Sequence, residues 1–367
     1  MPAGRRVKIL HTESSCGWGG QEIRILSEAE GLAARGHQVS LVTPLEANIH
    51  AAAVKQGLNV TALPIARKGL RGVLALRSWL SQHPPDVINT HSSTDTWLAA
   101  LACATSSKAP PIVRTRHISA PIPNDPLTRW LYLRATRHIV TTGEGLRVQL
   151  VRDNRYPVER ITSAPTGIDP GRFVPGDRSR ARRTTGLPQD RPLVGIVATL
   201  RSWKGHRYLI EAFSRLPGEV GLVIVGDGPQ RRNVETQIDE LRLRDRVWLA
   251  GNREDVLPWL QSLDVFALPS YANEGVPQAL VQAMLCGLPC VTTLAGSIGE
   301  VAQDGVTAVI VAPGDAADLE RGLGRVLGDA KLRETLGAAA RRHCVDNFGV
   351  DTMLDRMERV FRGVVAA

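Results

Sequence analysis

Short apolar runs alternate with amphipathic stretches along the whole chain. Residues 7–10 read as a strand, and residues 21–35 follow with Ile23, Leu26, Leu32 and Ala33 at helical spacing until Gly36 stops them. Further strand-like runs fall at 39–43, 60–63, 86–90, 111–115 and 138–142. The rhythm restarts at 192–198 and continues at 220–225, 247–249, 265–268 and 289–292. Strand–helix alternation with continuously apolar strands predicts parallel sheets covered on both faces. Two such series predict two doubly wound α/β domains facing a cleft, with ligands beyond the carboxyl ends of the strands.

Residues 171–191 lack apolar periodicity, carry Pro175, Gly176 and Pro188, and are dense in Arg and Asp, so they read as the connection between the two series. The expected division is an N-terminal domain 1–175, a linker 176–190 and a C-terminal domain 191–349. Helical patterns at 331–344 and 351–364 close the chain. The last puts Met353, Leu354, Met357, Val360 and Phe361 on one stripe, so helix 350–367 is expected to pack back on the N-terminal domain.

The 367 residues suffice for two cores, and 43% hydrophobic with 22% charged residues excludes disordered and fibrous classes. The longest uncharged apolar stretch, 96–107, is shorter than the ~20 residues a membrane span needs. The start MPAGRRVKIL lacks the roughly 7–15-residue apolar core of a signal peptide, so a cytoplasmic protein is expected. Five cysteines with no C-x-x-C spacing argue against a disulfide framework or a zinc site and suggest buried thiols. The net charge of +9 is unevenly placed: residues 1–175 hold 21 Lys+Arg against 12 Asp+Glu, and residues 176–367 hold 24 of each. The first half is therefore expected to meet something anionic. Nucleic acid is the weakest candidate, because no helix-turn-helix, zinc or aromatic-platform pattern accompanies the charge.

The first strand runs into Cys16-Gly17-Trp18-Gly19-Gly20-Gln21-Glu22 and then a helix, whose N-terminus offers N–H groups and a positive dipole end to an anion. The second series opens with a strand leading to Leu200-Arg201-Ser202-Trp203-Lys204-Gly205. Two cations three residues apart beyond a strand end suit one diphosphate, Arg as a planar fork and Lys as a point charge. Val225-Gly226-Asp227-Gly228-Pro229 is a strand followed by a glycine turn on which a flat ring can lie. Pro269-Ser270-Tyr271-Ala272-Asn273-Glu274-Gly275-Val276-Pro277 ends another strand and starts a helix, with Pro277 expected at its first position and Gln282 further along.

In this order the glycine loop, Arg-x-x-Lys-Gly, Gly-Asp-Gly-Pro and Glu-Gly-x-Pro resemble family 4 glycosyltransferases, which are retaining, nucleotide-sugar-dependent enzymes of GT-B architecture. Asp86-Val-Ile-Asn-Thr-His91, Val113-Arg-Thr-Arg-His117, Thr166-Gly-Ile-Asp-Pro-Gly-Arg-Phe173 and Gly299-Glu300-Val301 agree. The resemblance covers essentially the whole chain and is similar to bacterial lipopolysaccharide and cell-envelope enzymes. It implies that Gly19 and Gly20 meet the donor diphosphate through backbone N–H, and that Arg201 and Lys204 neutralise it as it leaves. It implies that Glu274 holds the transferred sugar, with Gly275 and Val276 offering amides, and that position 282 meets the ribose. Gly226 and the Asn252–Arg253 loop would border the base, and His117 would stand beside the transferring sugar. The sequence departs from the family at Gln282, where Glu is usual. One amide oxygen replaces two carboxylate oxygens for the ribose, and no two-carboxylate mechanism can be built from this pair.

No metal site is expected, since there is no Asp-x-Asp and no cluster with ligand spacing; Arg201 and Lys204 would carry the charge neutralisation. No cofactor is expected beyond a UDP- or GDP-type sugar donor as substrate. His91, at a strand end, is a second active-site candidate, whereas His11, His37, His50, His83, His138, His206 and His343 are expected at surfaces or helix ends. Segment 125–138 interleaves Trp130, Leu131, Tyr132 and Leu133 with Arg129, Arg134 and Arg137, and reads either as a basic helix for a membrane interface or as a helix packed on the sheet. The expectation is a metal-independent transferase working on an anionic glycolipid or glycan acceptor, peripherally associated with the cytoplasmic face of the inner membrane. A nucleotide-sugar epimerase or a phosphorylase on the same fold is the nearest alternative.

Overall fold

The continuous apolar runs become strands buried on both faces, as their lack of alternation requires. The computed structural model describes residues 6–104, 108–118 and 120–366. Outside these lie residues 1–5 of the start MPAGRRVKIL, residues 105–107 at the end of the apolar stretch 96–107, residue 119, and residue 367 of the expected helix 350–367.

The chain divides into two units, the first comprising Met1–Gly167 with Val350–Ala367 and the second Ile168–Gly349. In the first, strands β1 (Lys8–Thr12), β2 (Gln38–Thr43), β3 (Val60–Ala62), β4 (Val87–Thr90), β5 (Ile112–Arg116), β6 (His138–Thr141) and β7 (Ile161–Ser163) form one parallel sheet in the order β3-β2-β1-β4-β5-β6-β7. In the second, β8 (Leu193–Val197), β9 (Gly221–Val225), β10 (Val247–Gly251), β11 (Val265–Leu268), β12 (Cys290–Thr292) and β13 (Val309–Ile310) are ordered β10-β9-β8-β11-β12-β13. Each sheet reverses its winding beside its own first strand, between β1 and β4 and between β8 and β11. That switch point is where a doubly wound sheet holds its ligand.

The last helix, Val350–Ala366, belongs to the first unit. Its stripe of Met353, Leu354, Met357, Val360 and Phe361 is buried with Val7, Ile9, Val87, Val113 and Val140 of the sheet. At roughly 1.5–3 kcal/mol per fully buried side chain, that stripe is worth on the order of 10 kcal/mol before the entropy of ordering the helix. The fit is close: a Cβ on Gly31 would lie 2.5 Å from Leu354 Cδ1.

Two sequence expectations are corrected. Residues 176–190 are not a linker, because Arg178–Thr185 is a helix of the second unit, capped by Asp177 and closed by Gly186 at φ +70°. Its buried residues are Ala181 and Arg182, so no apolar stripe announces it. The Arg182 guanidinium meets Asp264 Oδ2 at 2.7 Å and donates to the Ser262 carbonyl, anchoring the helix to the loop before β11. Segment 125–138 is not one continuous helix either. Pro126–Trp130 is helical, Leu131–Ala135 forms a π turn, and β6 starts at His138. Trp130 stacks on Trp97, Tyr132 stacks on Tyr156, and Arg129 donates to the Asn154 carbonyl, so the segment packs on its own unit.

Candidate active site

The carboxyl ends of β1 and β4 carry an unbroken run of buried polar groups. His11 Nδ1 lies 3.0 Å from His91 Nε2, and His91 Nδ1 lies 3.0 Å from His117 Nε2. The first two rings stack at 5.2 Å. His11 and His91 are fully buried, while His117, just beyond β5, is half-buried. Burial and the Arg24 cation push His11 down to about 3; burial, then the neighbouring histidines, hold His91 well below its usual value. Burial, then Arg24 and Arg114, does the same to His117. All three rings are thus neutral at pH 7, and each contact needs one N–H, so the protons must be ordered along the chain. If each ring carries its proton on Nδ1, His11 Nε2 is a bare nitrogen and His117 Nδ1 is left as a donor. His11 Nε2 has no partner among the described residues, consistent with a dead end there.

The network extends further into the first unit. Arg24 donates to the Ala164 carbonyl at 2.6 Å and pairs with Glu28 at 3.4 Å, both side chains fully buried. Asn89 donates to Glu28 and accepts from Thr115. Asp95 accepts from Thr12 Oγ1, the His91 amide and the Ser92 amide and hydroxyl, fixing the loop after β4. Glu13, fully buried, accepts from the Ser15 amide and from Gln21. Burial, then Asp95, pushes its carboxyl up to about 8, so it is protonated at neutral pH. Gly19 is the N-cap of helix Gly20–Ala34 and has no side-chain cap.

The expectation that His11 and His37 lie at surfaces or helix ends is overturned, because each is less than a tenth exposed, whereas His206, also buried, is the first residue of helix His206–Ser214 as expected. Cys16 is exposed in the glycine loop and Cys103 half-buried, so only Cys286, Cys290 and Cys344 are the buried thiols expected; all five are free.

In the second unit the switch point collects Arg201, Lys204 and Glu274. Beyond β8, Ser202–Lys204 forms a single 3-10 turn that ends at Gly205 with φ +78°. A Cβ there would stand 2.1 Å from the Pro269 carbonyl oxygen, so glycine lets the loops after β8 and β11 touch. The Tyr271 amide donates to the Trp203 carbonyl at 2.9 Å. This contact carries Lys204 Nζ to both Glu274 oxygens, at 2.7 and 2.9 Å. The Glu274 side chain is 5% exposed and that of Lys204 20%. Asn273, held left-handed at φ 59°, aims Glu274 inward, and Gly296 lets its own loop reach the Glu274 carbonyl. Gly226, at φ +135°, brings the loop after β9 against the Ala198 carbonyl.

Arg201 is exposed over the Trp203 ring, and no carboxylate pairs with it among the described residues. Asn252 and Arg253 follow β10, with Arg253 over Trp259. Pro277 is the N-cap rather than the first helical residue, and Gln282 lies half-buried in helix Gln278–Leu285, while Gly275 and Val276 are buried before it. Gly19, Gly20 and His117 thus belong to the first unit, and Arg201, Lys204, Gly226, Asn252, Arg253, Glu274, Gly275, Val276 and Gln282 to the second. Sequence reasoning missed His11 and Glu13, whose signal was polar residues inside and just after an apolar strand, and it missed the direct Lys204–Glu274 pair. Among the described residues no three His, Cys, Asp or Glu side chains are placed to hold a metal ion, and no helix is long and apolar enough to cross a membrane.

A seven-stranded 3-2-1-4-5-6-7 sheet and a six-stranded sheet of the equivalent 3-2-1-4-5-6 order, each with a glycine-bearing loop at its switch point, define a protein of GT-B architecture. The Glycosyltransferase Family 4 profile matches residues 18–172 and the Glycosyl transferases group 1 profile residues 177–343. The chain belongs to the family 4 glycosyltransferases. It is 29% identical to a D-inositol 3-phosphate glycosyltransferase of Xylanimonas cellulosilytica over 88% of this chain and 87% of that one. It is 31% identical to the lipopolysaccharide core biosynthesis glycosyltransferase LpsE of Rhizobium meliloti over 62% and 65%. The fold matches Anabaena HepE, crystallised with UDP and glucose, with TM-score 0.87 at 23% identity, covering 97% of this chain and all of that one.

Proposed function

We propose that the chain is a retaining, metal-independent glycosyltransferase that moves a sugar from a UDP- or GDP-type donor to a lipopolysaccharide-core or lipid-linked glycan acceptor. The observation that carries this reading is the Lys204–Glu274 contact at the switch point of the second sheet. An arriving diphosphate competes for Lys204 and shares it with Arg201. Glu274, relieved of its cation, then accepts from the hydroxyls of the sugar. Charge growing on the leaving diphosphate is met by two cations already in place. With Gln282 where the family usually has Glu, Glu274 lacks the second carboxylate of that pair for a double displacement. Retention therefore proceeds by attack on the face the diphosphate leaves, and a phosphate oxygen takes the acceptor proton. HepE, a fold relative, holds UDP and glucose, which supports a UDP-type donor.

The likeness to LpsE supports a lipopolysaccharide-core acceptor, and the excess of Lys and Arg in the first half supports an anionic partner for it, met at the cytoplasmic face of the inner membrane. A second reading, a small phosphorylated cyclitol as acceptor, is favoured by the full-length inositol phosphate relative. Incubation with UDP-, GDP- and ADP-sugars in excess chelator, with lipopolysaccharide core or inositol 3-phosphate as acceptor, separates the two. One nucleotide sugar at 100 times its Kd should stabilise the fold by about 2.7 kcal/mol. The anomeric configuration should be retained in a chelator-resistant product. An inverted product or a strict metal requirement would overturn the mechanism, and transfer to the cyclitol alone would replace the acceptor.

A further inference from the structure

The first unit has a cavity of about 1000 Å³ at the amino ends of β5, β6 and β7, the edge opposite His91 and His117. Five arginines line it, Arg134, Arg137, Arg160, Arg356 and Arg359, and no Asp or Glu does. Arg160 is tied down: its guanidinium donates to the carbonyls of Leu133, Thr136 and Arg137. Arg134, Arg137 and Arg359 are exposed and have no carboxylate partner among the described residues. Burial and the nearby Arg137 and Arg134 lower the Arg160 pKa, outweighing the opposite pull of Glu159, as cations that converge on one another do.

The remaining lining is mostly apolar and includes Leu133, Val360, Val364 and Trp130, the last 36% exposed, with Thr136, His138 and Thr162 as its polar members. Leu127, one turn before Trp130, is 68% exposed, and Leu101, beside the lining residue Ala100, is 46% exposed. Guanidinium forks match phosphate oxygens, and a pocket at the upper end of the ~300–1,000 Å³ range holds more than a bare ion. Arginines inside with apolar groups around them suit a phosphate that carries hydrocarbon.

We propose that this cavity seats the phosphate headgroup of an anionic phospholipid and so fixes the first unit to an acidic membrane surface. The proposal rests on the membrane association read above and names the surface responsible. It differs from a simple basic helix, since Arg129 is spent on the Asn154 carbonyl and lines no part of the cavity. Flotation with phosphatidylcholine vesicles, with and without phosphatidylglycerol, tests it. The wild-type chain should float only with acidic vesicles. The triple variant Arg134→Gln, Arg137→Gln, Arg359→Gln should bind about 100-fold more weakly, as loss of three basic contacts near such a surface implies. Its thermal midpoint and donor hydrolysis should match wild type, and Arg129→Gln should float normally. Undiminished flotation of the triple variant would overturn the cavity assignment and leave membrane association standing. No flotation of wild type would overturn both. Displacement of the protein from vesicles by millimolar glycerol 3-phosphate, with a matching rise in thermal midpoint, would make a soluble phosphate the occupant and overturn the lipid.

Discussion

Acidification should weaken the first unit through its buried histidines. An unfolded histidine titrates near 6.5, whereas folded His11 titrates at about 3 and His91 well below the ordinary range. Below pH 6.5 the unfolded chain takes up protons that the folded one refuses. Stability from these rings is therefore complete at neutral pH and is lost as pH falls. Each ring costs about 1.4 kcal/mol per pH unit, which for His11 accumulates to about 5 kcal/mol by pH 3. For His11 alone the loss between pH 6.5 and 5.0 is about 2 kcal/mol, already a sizeable share of a domain's stability, and His91 acts in the same sense. Glu13 acts in the opposite sense. With its carboxyl at about 8 in the fold, it stabilises as pH drops from 8 toward 4.5 and offsets one of the two rings over this window. The difference between proteins isolates the histidine effect. His11→Gln removes one titrating ring, so its stability should fall less steeply than wild type by about 1.4 kcal/mol per pH unit between 6.5 and 5.0. Native-state hydrogen exchange of β1 and β4 amides, corrected for intrinsic rates, reads the first unit alone. Parallel slopes in the two proteins would refute the neutral, buried assignment of His11.

Lys204→Met should reduce turnover about 10²-fold or more and also destabilise the second unit by roughly 2–3 kcal/mol, since it strands a Glu274 side chain that is 5% exposed. Steady-state kinetics and urea unfolding check both, and wild-type stability would show that Glu274 needs no cation. Glu274→Gln should cut transfer sharply while leaving the affinity for free nucleotide nearly intact, and Gln282→Glu should preserve or tighten nucleotide binding. Calorimetric titration decides, and loss of bare-nucleotide binding in Glu274→Gln would exchange the two roles.

The strands that define both sheets were legible because burial on both faces leaves an uninterrupted apolar run. β7 and β13, three and two residues long, carry too little pattern to stand out. The helix at Arg178–Thr185 was hidden because it is held by a buried arginine rather than an apolar stripe. Loop chemistry was legible where glycine was compulsory, as at Gly205 and Gly226, whose positive φ and close carbonyls admit nothing larger. The His11–His91–His117 chain was not, because it joins three strand ends separated by 80 and 26 residues and depends on strand order rather than local spacing. The pairing of Lys204 with Glu274, 70 residues apart, is of the same kind.

The return of the last helix to the first unit sets an order on synthesis. Val7, Ile9, Val87, Val113 and Val140 are covered by Met353, Leu354, Met357, Val360 and Phe361, which leave the ribosome only after the whole second unit. At about 5–20 residues per second, the second unit, Ile168–Gly349, occupies the ribosome for roughly 10–40 s while that face of the first sheet has no lid. The nascent chain must keep an apolar surface from its neighbours for that whole interval, and a ribosome that stops short of Val350 leaves it bare for good.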